Sequence, residues 1–119
     1  MTTTPAPDDP RPLLGRALDQ AGRLVTTTDP GAAGAPTPCG DFDVATLVQH
    51  LLAVERRMGA VVRGEPFASV PRLWPSEDWG TDWASGRAST DAALAAADLG
   101  APVRVPWGEV PSRGRWRPT

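Results

Sequence analysis

The sequence has no Lys, Asn, Ile or Tyr, and only one Cys and one His among 119 residues. A single cysteine excludes an intramolecular disulfide, and one His with one Cys excludes the common His/Cys zinc clusters. All twelve basic residues are Arg, against fourteen acids, for a net charge of −2. The basic excess of a nucleic-acid-binding domain is therefore missing. No apolar run nears the ~20 residues a membrane span needs, and no basic start leads into an apolar signal segment. Gly-rich phosphate loops, nucleophile elbows and paired carboxylates are also absent, so no residue is assigned as catalytic. These absences point to a soluble, cytoplasmic protein without membrane contact, and the length allows one domain.

What is present is helical punctuation. Residues 1–9, small and Pro-rich, are expected to be disordered. Asp9 and Pro10 then form a helix-start signal, followed by Leu13, Leu14, Ala17, Leu18, Ala21, Leu24 and Val25 at helical spacing. Three threonines, Asp29 and Pro30 end this helix. The second helix is written most clearly, with Asp43 as N-cap, an apolar series from Val44 to Val62 and Gly64 as the stop. Residues 65–76, with three prolines, read as a long connection. A third helical region spans Glu77 to Leu99, with Gly86 expected to break it and Thr90 to restart it. Residues 101–111 alternate Val103, Val105 and Trp107 among prolines and are expected to be extended.

The composition changes at the end of the chain. Residues 1–100 hold eight Arg and thirteen acids, whereas residues 101–119 hold four Arg and one acid. The Arg-Gly-Arg-Trp-Arg stretch at residues 113–117 mixes cations with an aromatic, as single-strand binders do. In an otherwise acidic chain it is too short to make nucleic acid an expected partner.

His50 is the one acid–base or metal-ligand candidate. On a helical wheel it lies about 100° from the centre of the apolar stripe, at the edge of a buried face. A half-buried structural histidine is the simpler reading, because a metal needs further ligands. Asp43 and Glu55 are the nearest acids in sequence but point to other faces of the helix. Glu55 falls inside the apolar face and needs a partner or a route to water. Cys39, just before a helix start, is expected to be a small apolar plug, with a reactive thiol as the other reading. Trp79 and Trp83, at i and i+4, suit a core pair or a stacking platform.

The stretch from Pro36 to Leu52 is more specific than its physics. Pro36-x-Pro38-Cys39, an aromatic at Phe42, and Val44-x-x-Leu47-Val48-x-His50-Leu51 resemble the N-terminal metal-binding domain of the mycothiol-dependent maleylpyruvate isomerase family, in the DinB-like superfamily common in actinobacteria. Residues 11–20 and Val105 to Pro111 are similar to other segments of that domain. The resemblance implies an all-α, up-and-down four-helix bundle, a divalent metal (zinc in intact members) and a small thiol. It maps the first metal ligand onto His50 and leaves Cys39 structural; a place for Glu55 behind the ligand shell is suggested by its position on the helix alone. The family's other two ligands lie four residues apart on a fourth helix, and nothing after Pro111 matches them.

The expectation is therefore an incomplete bundle over residues 10–111, with three helices and an extended C-terminal arm, followed by an unrelated Arg-rich tail at 112–119. Two explanations for such a tail compete: a shift of reading frame near residue 112, since GC-rich codons read out of frame favour Arg, Gly and Pro, or a genuinely short chain in which His50 is a relic or a structural residue. As written, the chain is expected to be inactive and to bind metal weakly. The alternative is a small helical interaction module, a homo-oligomer formed through the apolar face left uncovered.

Overall fold

The computed structural model describes residues 9–106 and 108–111. The Arg-rich segment 112–119 and residues 1–8 lie outside the described residues. Three helices account for most of the fold: α1 (Arg11–Thr27), α2 (Val44–Val62) and α3 (Trp79–Ala96). They form an all-α partial bundle, followed by a hairpin of β1 (Pro102–Val105) and β2 (Gly108–Pro111), paired antiparallel with Val103 opposite Val110. Among the described residues no helix is long and apolar enough to cross a membrane.

Local sequence sets each helix end. Asp9 accepts from the backbone N–H of Arg11 at 3.0 Å and pairs with its guanidinium, so the start signal acts two residues before the first helical residue, with Pro10 at the N-cap. Asp43 accepts from Thr46 N at 2.8 Å and Asp78 from Thr81 N at 3.1 Å, each satisfying an N–H that the first turn leaves unpaired. Gly64, at φ +80°, takes the left-handed conformation that closes α2.

The direction of the third helix follows from the long connection before it. Val70 accepts from the Arg57 guanidinium, and Trp74 N–H donates to Gln49 O at 3.1 Å, so the chain runs back along α2 toward its start. A 3-10 turn at Phe67–Ser69 lies within this strap, and the Phe67 ring sits under the Arg57 guanidinium at 4.4 Å. Consequently α3 runs in the same sense as α2: Arg56 meets Asp82 near the start of α3, and Gly59 and Arg63 meet Thr90 and Ser89 further along it. Against α1 the order is reversed, with Gly22 beside Trp83 and Arg11 beside Leu94. The helices thus run up, down, down rather than strictly up and down, because residues 63–78 are a return crossover and not a tight turn.

Helix α3 is continuous through Gly86, contrary to the expected break and restart at Thr90. The glycine is there for packing. A Cβ at Gly86 would meet Glu55 Oε1 and come within 2.7 Å of Arg56 Nη1. A Cβ at Gly22 would likewise meet the Trp83 indole, so α1 and α3 approach closely where the ring is wedged. A glycine inside a helix costs about 1 kcal/mol relative to Ala, which tertiary contacts of this kind offset.

The core gathers Leu18, Val25, Val48, Leu52 and Trp83, with Trp79 and Trp74 packed against it. The Trp79–Trp83 pair is therefore core-facing. A second cluster, Ala53, Ala60 and Val70, fastens the strap to α2. On α1, Leu13 and Leu24 remain 64% and 61% exposed. They stand eleven residues apart, about three turns, and so share one face.

Candidate functional site

The loop ahead of α2 presents His50. Thr37 Oγ1 accepts from Cys39 N at 3.1 Å and donates to Phe42 O at 2.6 Å, while Phe42 N donates to Cys39 O at 3.2 Å. Gly40, at φ +63°, allows the tight reversal, and a bridge between Pro36 and Asp43 closes the loop. Hydrogen bonding from Thr46 holds the Asp43 carboxyl below its ordinary pKa, keeping the cap ionised at the positive end of α2. The outcome is a rigid entry to the helix, with the Phe42 ring edge-on to His50 at 5.9 Å between centroids. Such a T-shaped contact orients the imidazole without occupying its nitrogens.

His50 is half-buried, at the edge of the apolar face. Its nitrogens make no hydrogen bond to another described residue. Among the described residues no group of three or more His, Cys, Asp or Glu side chains is placed to hold a metal ion. Cys39 departs from the expected apolar plug and is exposed. The physical reason is local: the Thr37 hydroxyl captures the Cys39 N–H, and the turn at Gly40 leaves the thiol on the loop's outer side.

Glu55 faces elsewhere. Five residues further along α2 it is turned by about 140° from His50 and enters the seam with α3. It is 0% exposed, and neither carboxylate oxygen has a hydrogen-bond partner. Arg56 Nη1 stands 3.6 Å from Oε1, close enough for attraction but beyond a hydrogen bond. That guanidinium is committed elsewhere, donating to Asp82 O at 2.7 Å and lying 4.2 Å over the Trp74 ring. Burial pushes the Glu55 carboxyl up to about 8, against the smaller opposing pull of Arg56 and Arg87. At neutral pH the group is therefore mainly protonated, consistent with an enclosed site that could not hold a bare charge.

The need for a partner at Glu55 was legible in the sequence, but Arg56 and Gly86 as its neighbours, and Trp74 under the Arg56 guanidinium, were not. No periodicity marks a residue that acts through a neighbouring helix. A depression of about 650 Å³ lies between the end of α2 and the second half of α3. It is lined mainly by small apolar side chains such as Val61, Ala93 and Ala96, about 16 Å along α2 from His50.

A family model described as the mycothiol maleylpyruvate isomerase N-terminal domain matches residues 14–119, a span that takes in the Arg-rich segment. No curated protein and no solved structure gives a significant match.

Proposed function

Because the chain belongs to the mycothiol maleylpyruvate isomerase N-terminal domain family, a DinB-like metal-binding family, we propose that it supplies the His50 imidazole to a divalent-metal centre. One observation carries the reading: the chain's only imidazole is held by the Phe42 ring, half-open to solvent, with both nitrogens unengaged by described residues. Imidazole suits several divalent metals, zinc among them, and zinc is the metal this reading proposes.

The described residues do not complete the set. A zinc centre takes three or four protein ligands, and among the described residues no group of three or more His, Cys, Asp or Glu side chains is placed to supply them. The chain by itself is expected to hold zinc loosely. The family's name links it to a small thiol, and this chain's share in that chemistry is the imidazole alone. A cytoplasmic location is part of this proposal; there the single exposed thiol of Cys39 stays reduced.

The test is a zinc titration against a chromophoric chelator, with His50→Ala beside the unaltered chain. Weak binding that the substitution abolishes supports the assignment. One zinc per chain surviving dialysis against the chelator would overturn the loose-binding claim, and equal binding by His50→Ala would overturn the role of His50.

A second reading rests on the exposed Leu13 and Leu24 of α1: a homo-oligomer formed through that apolar face. Sedimentation velocity over a hundredfold range of concentration tests it. A mass that rises with concentration, and stays monomeric in Leu13→Glu/Leu24→Glu, supports it; a monomer throughout removes it.

A further inference from the structure

The seam between α2 and α3 contains a buried acid next to a cation engaged elsewhere, an arrangement that His50 does not use. Glu55 Oε1 and Oε2 are enclosed without a hydrogen bond, and the notch they occupy exists because residue 86 has no Cβ. The Glu55 backbone carbonyl is fixed from α3 by the Thr90 hydroxyl at 2.9 Å, so the helix cannot rotate to carry the carboxyl into water. Among the described residues, the one guanidinium within ion-pair reach, Arg56, is engaged with Asp82 O and Trp74.

We propose that Glu55 and Arg56 form a proton-operated latch on this seam. With Glu55 protonated, Arg56 stacks on Trp74 and grips the first turn of α3 through the Asp82 carbonyl. When Glu55 loses its proton, the guanidinium moves onto the carboxylate and slackens both holds.

The movement is small. A charge-assisted hydrogen bond needs about 2.8 Å, so Nη1 has under about 1 Å to travel from its present 3.6 Å. A buried carboxylate without that partner is strongly disfavoured, which supplies the drive. The other charges around the carboxyl are already engaged. From α3, Arg87 pairs with Asp91 at 2.9 Å and with Asp19 of α1 at 2.7 Å, leaving Arg56 as the cation nearest to Glu55. The 3-10 turn at 67–69 brings no charged residue, and Arg104 on β1 is exposed.

The direction of the pH effect follows from linkage. The folded chain keeps the Glu55 proton up to about pH 8, whereas the unfolded chain releases it near the ordinary carboxyl value of 4.5. Between those values the folded state binds one more proton, so stability falls as pH rises and levels off above about 8.

The experiment has two readouts on the full chain. Tryptophan emission of the native protein is titrated from pH 6 to 9.5, and denaturant unfolding is measured at pH 5.5 and 7.5. The expected result is a one-proton emission step near pH 8, together with a folding constant that drops about a hundredfold over the two pH units relative to Glu55→Gln. In Glu55→Gln the step disappears. Trp74→Phe keeps the pH dependence of stability but loses the emission step, and it serves as the comparison if Glu55→Gln fails to fold. A step that persists in Glu55→Gln or in Trp74→Phe overturns the latch, as does an infrared spectrum of the unaltered protein showing no protonated buried carboxyl at pH 6.

Discussion

Two polar side chains on α2, His50 and Glu55, stand five residues apart and meet opposite conditions. His50 lies where the helix is covered only in part, against one aromatic ring, and its nitrogens remain available. Glu55 lies where α2 meets α3, wholly enclosed, and its oxygens have nothing to accept from. The helix thus has an open side where chemistry with a ligand is possible and a closed side where a polar group changes its protonation instead. The proposed metal binding belongs to the open side. The closed side works within the chain.

That contrast is broken most severely from the closed side. Replacing Trp83 with Ala removes the indole wedged against Gly22 and is expected to cost about 3–5 kcal/mol, read as a lower midpoint in denaturant. Gly86→Ala puts a methyl group where Glu55 and Arg56 already sit and should cost about 1–3 kcal/mol by the same measurement. Glu55→Met keeps the volume and removes the unpartnered carboxyl. It is expected to raise stability at pH 7.5 by about 1–3 kcal/mol and to flatten the fall in stability between pH 5 and 8. On the open side the effects are small: His50→Ala should change folding stability by no more than about 1 kcal/mol, and Leu13→Glu or Leu24→Glu by about 0.5 kcal/mol in a monomer. A large loss from His50→Ala, in a thermal melt without metal, would show that the two sides are not distinct.

The sequence made the elements with local signals legible. Asp43, the apolar series after it and Gly64 place α2 because a cap, a period and a left-handed stop each act within a few residues. The edge position of His50 follows from the same period. What could not be read depends on other elements. Gly86 looked like a breaker because propensity is local, yet its space is taken by a side chain from α2. The sense of α3 was hidden because nothing in three prolines says that the strap returns to Gln49. Cys39 was expected to be buried from its residue type, and a threonine hydroxyl two residues earlier decided otherwise.

The exposure of Cys39 also makes this chain an unusually clean object for spectroscopy. With no lysine and a single accessible thiol, a maleimide probe attaches at one place without any engineered substitution. That place lies three residues before Phe42, the residue whose ring touches the imidazole. A nitroxide there would sense a paramagnetic ion such as Mn²⁺ or Cu²⁺ arriving at His50 through dipolar broadening, turning a loop that merely caps a helix into a built-in ruler.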